Sequence, residues 1–331
     1  MRKMKCFVYI CLLLSLCSIP IYSSNQYVFL GGDSVAMILK YDGVLVTGRF
    51  PFEYEGKTLQ PNAFEIKQND MIVAVNDERI HSIQDFYKQL ESYKNEHSLV
   101  PITISRKQKV MDIHLAVSYQ NNNQMHKTGL YLKDELNGVG TVTYYNPSNH
   151  TFAALGHNIV DKSQTNYVHQ NGLIFYSNIV SFSKSRSNTI GEKHANISSG
   201  EIGKITKSNN YGVYGNYSIN VNDKQSIQIA SKNEVSIGEA YIYTVLYGTT
   251  VERFTIQITE IYPNSPSKEK GITFRITDKR LLELTGGIIQ GMSGSPIVQN
   301  GKLVGAVTHV LVNDPTRGYG IFIENMLDAA G

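Results

Sequence analysis

Between residues 33 and 117, short apolar runs typical of strands surround one segment with helical periodicity. Ser82 precedes that segment and Asp85 follows three residues later, the arrangement of a capping box at a helix start. The apolar positions on one face of this helix are Ile83, Phe86, Tyr87, Leu90 and Tyr93. The pattern predicts a small β-sandwich with one amphipathic helix.

From residue 129 to residue 331, helical periodicity nearly vanishes. Short runs rich in Val, Ile, Thr and Tyr alternate with clusters of Gly, Asn, Pro and Ser, as in sandwiches and barrels. A chain of this length favours two packed β-barrels, and only residues 324–330 at the end are predicted to be helical. Residues 120–124 contain no apolar side chain, so a linker is predicted over 118–128.

The first 24 residues have the pattern of an export signal. Three cations, Arg2, Lys3 and Lys5, precede an apolar run over residues 6–22. This run is at the short edge of what spans a bilayer, so a cleaved signal peptide and an uncleaved anchor are both expected alternatives. Lipidation at Cys17 is disfavoured, because Leu16 is bulky for the position before such a cysteine. Export is predicted in either case.

The charge and the cysteine content of the residues beyond the leader limit the classes of function that are possible for them. The chain has 31 basic and 28 acidic side chains, and three of the basic but none of the acidic ones lie in the leader. The rest is therefore neutral, which excludes the basic footprint of a nucleic-acid binder. All three cysteines also lie in the leader, so disulfides, a thiol nucleophile and thiolate metal sites are excluded beyond it.

Residues 62–80 resemble a bacterial PDZ domain, with Asn69 and Asp77 where glycines are usual. Both residue types tolerate the left-handed conformation. The resemblance covers about 80 residues and implies a groove in which an extended peptide adds a strand to a sheet edge. Gly43, Val44 and Leu45 are the predicted loop and strand of this groove. The alternative is a folded spacer that binds nothing.

The candidate nucleophile lies in the segment 287–298, where a Gly-x-Ser-Gly-x-Pro turn joins two apolar strands. Gly291 and Gly294 let the backbone bend sharply, which leaves the Ser293 hydroxyl uncovered and directs successive N–H groups at one spot. The turn resembles that of trypsin-like serine proteases, which implies attack by Ser293 and an oxyanion hole formed by the N–H groups of Gly291 and Ser293. Ser295 and a plain structural turn are the alternatives.

A serine nucleophile needs a base, and His157 is the best of the nine histidines. It follows an apolar strand and a glycine, so it can stand at a strand end facing a cleft. His309 is the alternate base. Because the strand after the nucleophile usually forms one wall of the substrate pocket in such proteases, Thr308 and His309 are instead predicted to contact substrate.

Asp278 is the first candidate for orienting the base. It lies 15 residues before Ser293, beside a strand end where a short acid could accept an imidazole N–H. A helix N-cap or a surface ion pair is the alternative reading, and Asp161 and Asp314 are other candidates.

Together with the PDZ-like region, three segments resemble the SpoIVB peptidase family of endospore-forming bacteria: 154–157, 276–287 and 305–316. The similarity extends from about Val28 to the C-terminus. It implies a trypsin-like double β-barrel with catalytic Ser293, His157 and Asp278. This sequence departs from trypsin-like enzymes in the short separation of Asp278 and Ser293 along the chain, which leaves a Ser–His dyad conceivable.

The resemblance implies an exported serine endopeptidase of sporulation, acting between the two forespore membranes. It would cleave a membrane-anchored regulator like SpoIVFA, which triggers intramembrane proteolysis that activates a late sigma factor, and it would also cut itself. The PDZ-like region would guide both targets. No cofactor or metal is expected, since the sequence has no H-E-x-x-H motif, no phosphate-binding Gly-rich loop and no Cys ligand. A catalytically inactive PDZ adaptor and an exported esterase are the alternatives.

Overall fold

The computed structural model describes residues 26–59, 65–95, 97–120, 124–159 and 171–331. The predicted leader, residues 1–24, lies outside the described residues, as do parts of the PDZ-like motif and of the predicted linker. Within the described ranges, no helix is long and apolar enough to cross a membrane.

The fold is mainly β, as predicted from the short apolar runs. The first ten strands are β1 (Tyr27–Leu30), β2 (Ser34–Arg49), β3 (Phe52–Tyr54), β4 (Lys57–Leu59), β5 (Met71–Val75), β6 (Glu78–Arg79), β7 (Ser98–Arg106), β8 (Lys109–Gln120), β9 (Met125–Lys127) and β10 (Leu130–Asn146). The others are β11 (Thr151–Ala154), β12 (Gly172–Phe182), β13 (Lys193–Asn209), β14 (Gly212–Tyr217), β15 (Ser226–Ile229), β16 (Gly238–Val245), β17 (Val251–Ile261), β18 (Ile272–Ile276), β19 (Pro296–Gln299), β20 (Lys302–Leu311) and β21 (Asp314–Phe322).

Three helices accompany these strands in the described part of the chain: α1 (Ile83–Leu90), α2 (Lys279–Thr285) and α3 (Ile323–Ala330). Helix α1 is the predicted amphipathic helix. The Ser82 hydroxyl accepts the Asp85 N–H at 3.0 Å, and the Asp85 carboxylate accepts the His81 N–H. Phe86 and Leu90 are buried, whereas Tyr87 is 38% exposed, so the apolar stripe is only partly covered.

Helix α1 and strands β5–β8 enclose a core of their own, which we call the α1 module. Its buried side chains run from Val44 to Leu130. Asn69 and Asp77, which replace glycines of the PDZ pattern, have φ values of 72° and 64°. The left-handed turns that the pattern needs are therefore formed by residues that tolerate them. The PDZ-like identity of the module stays a prediction.

Strand β2 belongs to two cores. Its first half, with Val35, Met37 and Leu39, packs into a core shared with Val142 and Phe152. Its second half, with Val44 and Val46, packs into the α1 module. The core of the α1 module thus begins at Val44, in the middle of β2, and the predicted domain over residues 33–117 stays a prediction.

The remaining strands form two β-subdomains. The N-terminal β-subdomain has a core drawn from β2, β10–β14 and the segment after β14, and the C-terminal β-subdomain has a core drawn mainly from β16–β21 and helix α2. A further cluster, which includes Tyr144, Ala153 and Ala306, packs between them. This division places the end of β11 and the turn before β19 on different subdomains that meet.

The ion pair between Asp70 and Arg106 stabilises the α1 module. Asp70 is 1% exposed, and Arg106 binds both of its carboxylate oxygens at 2.6 and 2.7 Å. We expect Asp70→Ala to lower the free energy of unfolding by about 3 kcal/mol, because it leaves a partly buried guanidinium unpaired. Asp42→Ala, which breaks the exposed pair with Arg79, should cost less than about 1 kcal/mol. Urea unfolding followed by circular dichroism measures both, and equal losses would contradict the assignment.

Candidate active site

The turn before β19 exposes one serine and buries another. Gly291 and Gly294 have φ values of 95° and 91°, which L side chains rarely adopt. Ser293 between them is partly exposed, whereas Ser295 is fully buried and its hydroxyl has no hydrogen-bond partner among the described residues. The geometry thus favours Ser293 over Ser295 as the nucleophile.

Strand β10 holds this turn from the N-terminal β-subdomain. The Thr141 N–H donates to the Ser293 carbonyl at 2.9 Å, and the Thr141 hydroxyl donates to the Gly291 carbonyl at 2.8 Å. The buried Thr143 hydroxyl donates to the Gly294 carbonyl at 2.8 Å. Sequence reasoning missed both threonines, since an alternating Thr-x-Thr in a strand carries no signal of a partner about 150 residues away.

Two amides of the same turn, those of Gly291 and Ser293, are left without an acceptor among the described residues. The carbonyl of Gln290 accepts the Lys193 N–H at 3.0 Å, and the carbonyl of Met292 accepts the Ser295 N–H at 3.0 Å. In a trans peptide the N–H points opposite to the carbonyl, so the amides of Gly291 and Ser293 point away from these partners. Among the described residues neither amide has an acceptor, which is the arrangement that an oxyanion hole requires.

His157 lies just after β11, in a tight turn where Leu155 and Gly156 have φ values of 70° and 71°. Its Nδ1 lies 2.7 Å from the carbonyl oxygen of Asn158. Because a carbonyl only accepts, Nδ1 carries the proton and Nε2 keeps its lone pair. Burial lowers the pKa of His157, so the ring is neutral at pH 7, as a general base must be.

His157, Ser293, Thr308 and His309 come together between the two β-subdomains. The rings of His157 and His309 lie 5.0 Å apart. The Ser293 hydroxyl donates to the Thr308 carbonyl at 3.0 Å, so in this structure it is bound to the backbone of β20 and not to an imidazole. Burial, together with the charges of His157 and Lys270, lowers the pKa of His309 to about 4.

Asp278 does not meet His157. It is the N-cap of α2: one carboxylate oxygen accepts the Leu281 N–H at 2.9 Å, and the other accepts the Thr255 N–H at 3.4 Å. Direct orientation of the base by Asp278 is therefore absent from this structure, in which the Asn158 carbonyl holds Nδ1. The alternative reading of Asp278 as a helix cap is the one that the geometry shows.

Two other acids, Asp314 and Asp161, are candidates from the sequence for the role of Asp278. Asp314 accepts the N–H and the hydroxyl of Thr316 at 3.2 and 2.6 Å, within its own turn. Asp161 lies outside the described residues. No cluster of three metal-ligating side chains occurs within the described ranges.

The predicted peptide groove at Gly43, Val44 and Leu45 is not open. Val44 and Leu45 pair with β5 on one side, and Leu45 pairs with Lys133 of β10 on the other. From there, β10 continues along β2 to Leu130, which pairs with Arg49. The expectation of a free strand edge is thus corrected, because the sheet of the α1 module is completed by a strand of the same chain.

The segment Leu130–Asp134 of β10 also contacts helix α1. Leu130 is buried in the core that contains Phe86 and Leu90, and Leu132 packs against the same core. The Asp134 carboxylate accepts the Ile83 N–H at the start of the helix, at 2.7 Å. This segment therefore lies between β2 and α1 and occupies the strand edge predicted to bind a peptide.

Comparison with known proteins identifies a family for this sequence. The family model described as SpoIVB peptidase S55 matches residues 124–327. The solved structures that resemble this fold include the inactive forms of Rv3671c from M. tuberculosis H37Rv, one as the Ser343Ala mutant and one described as the Rv3671c protease. Each is 13% identical with a TM-score of 0.32, and the matches cover 59% and 57% of this chain and 82% and 81% of those chains. No curated protein matches.

Close packing at Gly294 gives a first test of the site. A Cβ atom there would lie 2.0 Å from the Thr141 carbonyl oxygen and 2.4 Å from the Leu155 nitrogen. We expect Gly294→Ala to lower kcat at least about 100-fold and to destabilise the protein by about 2–4 kcal/mol, because both the turn and β10 must shift. Gly301→Ala has a similar φ of 75° but open space, and should cost about 1–2 kcal/mol with kcat retained. Equal activity losses would argue against this packing role.

The pH dependence gives a second test. Since the base acts only when neutral, and the pKa of His157 is lowered, activity should persist below the ordinary value of 6.5 and be lost as the pH falls through the lowered pKa. The acid limb of the kcat/KM profile is the measurement. A limb centred above 6.5 would contradict the environment described for His157.

Proposed function

We propose that Ser293 is the nucleophile of this protein and His157 its general base. The chain belongs to the SpoIVB peptidase S55 family, and this membership identifies it as a serine endopeptidase. The observation that carries this proposal is that His157 and the Ser293 hydroxyl both adjoin strand β20. The His157 ring lies 5.0 Å from that of His309, the Ser293 hydroxyl donates to the Thr308 carbonyl, and Asn158 holds the Nδ1 proton of His157. Nε2 is thereby left as the acceptor that a serine hydroxyl needs.

Attack requires one rearrangement of the Ser293 side chain. The hydroxyl must leave the Thr308 carbonyl and rotate toward Nε2 of His157, which takes its proton as Oγ bonds to the scissile carbonyl carbon. The amides of Gly291 and Ser293 then donate to the developing oxyanion. Protonated His157 gives its proton to the leaving amine, and water hydrolyses the acyl-enzyme by the same sequence of proton transfers.

In this proposal Asp278 acts at a distance from the imidazole. Its carboxylate fixes the start of α2, and the residues that follow this helix, 286–290, lead directly to Gly291. The Ser185 N–H further anchors the helix end by donating to the Thr285 carbonyl at 2.8 Å. Asp278 is then a positioning residue for the nucleophile segment, and His157 and Ser293 work as a dyad.

The proposed substrate is a membrane-anchored regulator of the SpoIVFA type, cleaved outside the cytoplasm during sporulation, with self-cleavage of the enzyme. The resemblance of residues 276–287 and 305–316 to the family and the cationic, apolar leader support this assignment. Thr308 and His309 on β20 are proposed to contact the substrate, since they adjoin the Ser293 hydroxyl.

The nucleophile is tested by covalent labelling. A fluorophosphonate probe should add to Ser293 in the full chain, with the modified residue identified by mass spectrometry. Ser293→Ala should abolish labelling and lower turnover of labelled casein by about 10⁴-fold or more, whereas Ser295→Ala should retain both. A wild-type protein that is not labelled would instead support the inactive adaptor, and one that cleaves small esters but not casein would support an esterase.

The base is tested by a matched pair of histidine variants. His157→Gln should lower kcat by about 10³- to 10⁴-fold, because no other group takes the Ser293 proton. His309→Gln should change KM more than kcat, since its ring lies beside the site without the Nδ1 hydrogen bond that defines the tautomer of His157. The reverse ranking would assign the base to His309.

The substrate is tested with purified components. Wild-type enzyme incubated with a SpoIVFA-type protein in vesicles should release its extracytoplasmic part, and the Ser293→Ala variant should not. Sequencing of the new N-termini would locate the cuts in the substrate and in the enzyme itself. Cleavage of casein with an intact SpoIVFA-type protein would leave the peptidase assignment standing and remove this substrate.

A further inference from the structure

A buried lysine lies behind the turn that carries Ser293. Lys193, the first residue of β13, is 5% exposed. Its Nζ lies 2.8 Å from the Thr244 hydroxyl and 3.4 Å from the Gly291 carbonyl oxygen. Within the described ranges no carboxylate forms a salt bridge with it. Lysines are almost never fully buried unless they are paired, so this position asks for an explanation.

Lys193 contacts the turn through its backbone as well. Its N–H donates to the Gln290 carbonyl at 3.0 Å, so one residue binds two successive carbonyls, through its N–H and its Nζ. The side chain between these groups packs on the glycine: a Cβ atom on Gly291 would lie 2.9 Å from Lys193 Cδ. Lys193 therefore fixes the peptide planes on both sides of the Gly291 α-carbon.

The plane of the peptide between Gln290 and Gly291 decides where the Gly291 N–H points. The Gln290 carbonyl and the Gly291 N–H belong to one peptide group, and they point in opposite directions. Because the Lys193 N–H binds this carbonyl, the Gly291 N–H is held on the opposite side of the peptide, where it has no acceptor among the described residues. The second bond, from Nζ to the Gly291 carbonyl, resists rotation of the next peptide, between Gly291 and Met292. The Thr141 hydroxyl binds the same carbonyl.

We infer that Lys193 is a positioning residue for the oxyanion hole, which it preorganises by holding the carbonyls of Gln290 and Gly291. The inference rests on the proposed role of Ser293 and its neighbouring amides. Preorganised donors aimed at developing charge are among the largest contributions to such catalysis. Because Lys193 loses its hydration when it is buried there, it serves the reaction at a cost to the stability of the protein.

That cost is visible in the ionisation of the amine. Burial lowers the pKa of Lys193 to about 7, since the charged form loses its water and gains no carboxylate. A folded-state pKa below the unfolded value means that stability is lost as the pH falls from the unfolded pKa of 10.5 toward 7. An apolar side chain of the same length would remove this penalty.

Lys193→Met in the full chain tests the side-chain part of this role, because methionine nearly matches the volume of lysine, loses the Nζ bond to the Gly291 carbonyl and keeps the N–H bond to the Gln290 carbonyl. We expect kcat on labelled casein and the rate of fluorophosphonate labelling to fall together by about 10- to 100-fold, with KM within about threefold and Tm equal to or above that of wild type. Lys204→Met on the same strand, at an exposed position, is the matched control and should leave all four quantities unchanged.

Each outcome decides the inference. Wild-type kcat and labelling in Lys193→Met would overturn it, as would a rise in KM with unchanged kcat. If Lys193→Met does not fold, Lys193→Gln, which is shorter and less able to reach Gly291, is measured by the same criteria. Failure of both variants to fold would assign Lys193 to stability and also overturn the inference. Labelling of the wild type at Ser293 in the same experiment tests the peptidase assignment separately from the role of Lys193.

Discussion

The hydrogen bonds from Thr141 to Gly291 and Ser293 are the interactions on which the site depends. They cross from the N-terminal β-subdomain, which carries His157, to the C-terminal β-subdomain, which carries the proposed nucleophile, Ser293. A base and a serine on separate subdomains can react only if their separation is fixed, and 1 Å of error in such geometry is costly. The Thr143 hydroxyl on the Gly294 carbonyl adds a third bond across the same boundary.

The site is thus built mostly from backbone groups held by buried polar side chains. Thr141, Thr143 and Lys193 are 0%, 0% and 5% exposed, and each binds carbonyls of the turn. The backbone N–H of Lys193, bound to the Gln290 carbonyl, leaves the opposite N–H, that of Gly291, without an acceptor among the described residues. The single carbonyl of Asn158 sets the tautomer of His157 in the same way. Such a design needs few charged groups at the reaction centre, which agrees with the neutral composition of the chain beyond its leader.

The sequence predicted what local patterns can encode. The mainly β fold, helix α1 with its Ser82 cap, and the glycine turn around Ser293 all depend on residues close together in the chain. The supports of the site were missed because Thr141 and Lys193 meet Gly291 across 150 and 98 residues, and nothing in their own neighbourhood marks them. Asp278 was misplaced for a related reason: an acid before a helix reads equally as a cap or as a catalytic partner, and only the fold separates the two.

Strand β10 already occupies the position between β2 and α1 of the α1 module. An external peptide that bound between β2 and α1 would have to displace Leu130–Asp134, and a covalently attached segment rebinds as though present at millimolar concentration. Weak encounters would therefore be rejected, and only a ligand of high intrinsic affinity or high local abundance would enter. Since Thr141 lies on the same strand, eleven residues beyond Leu130, displacement of Leu130–Asp134 would act on the strand that holds the Ser293 turn.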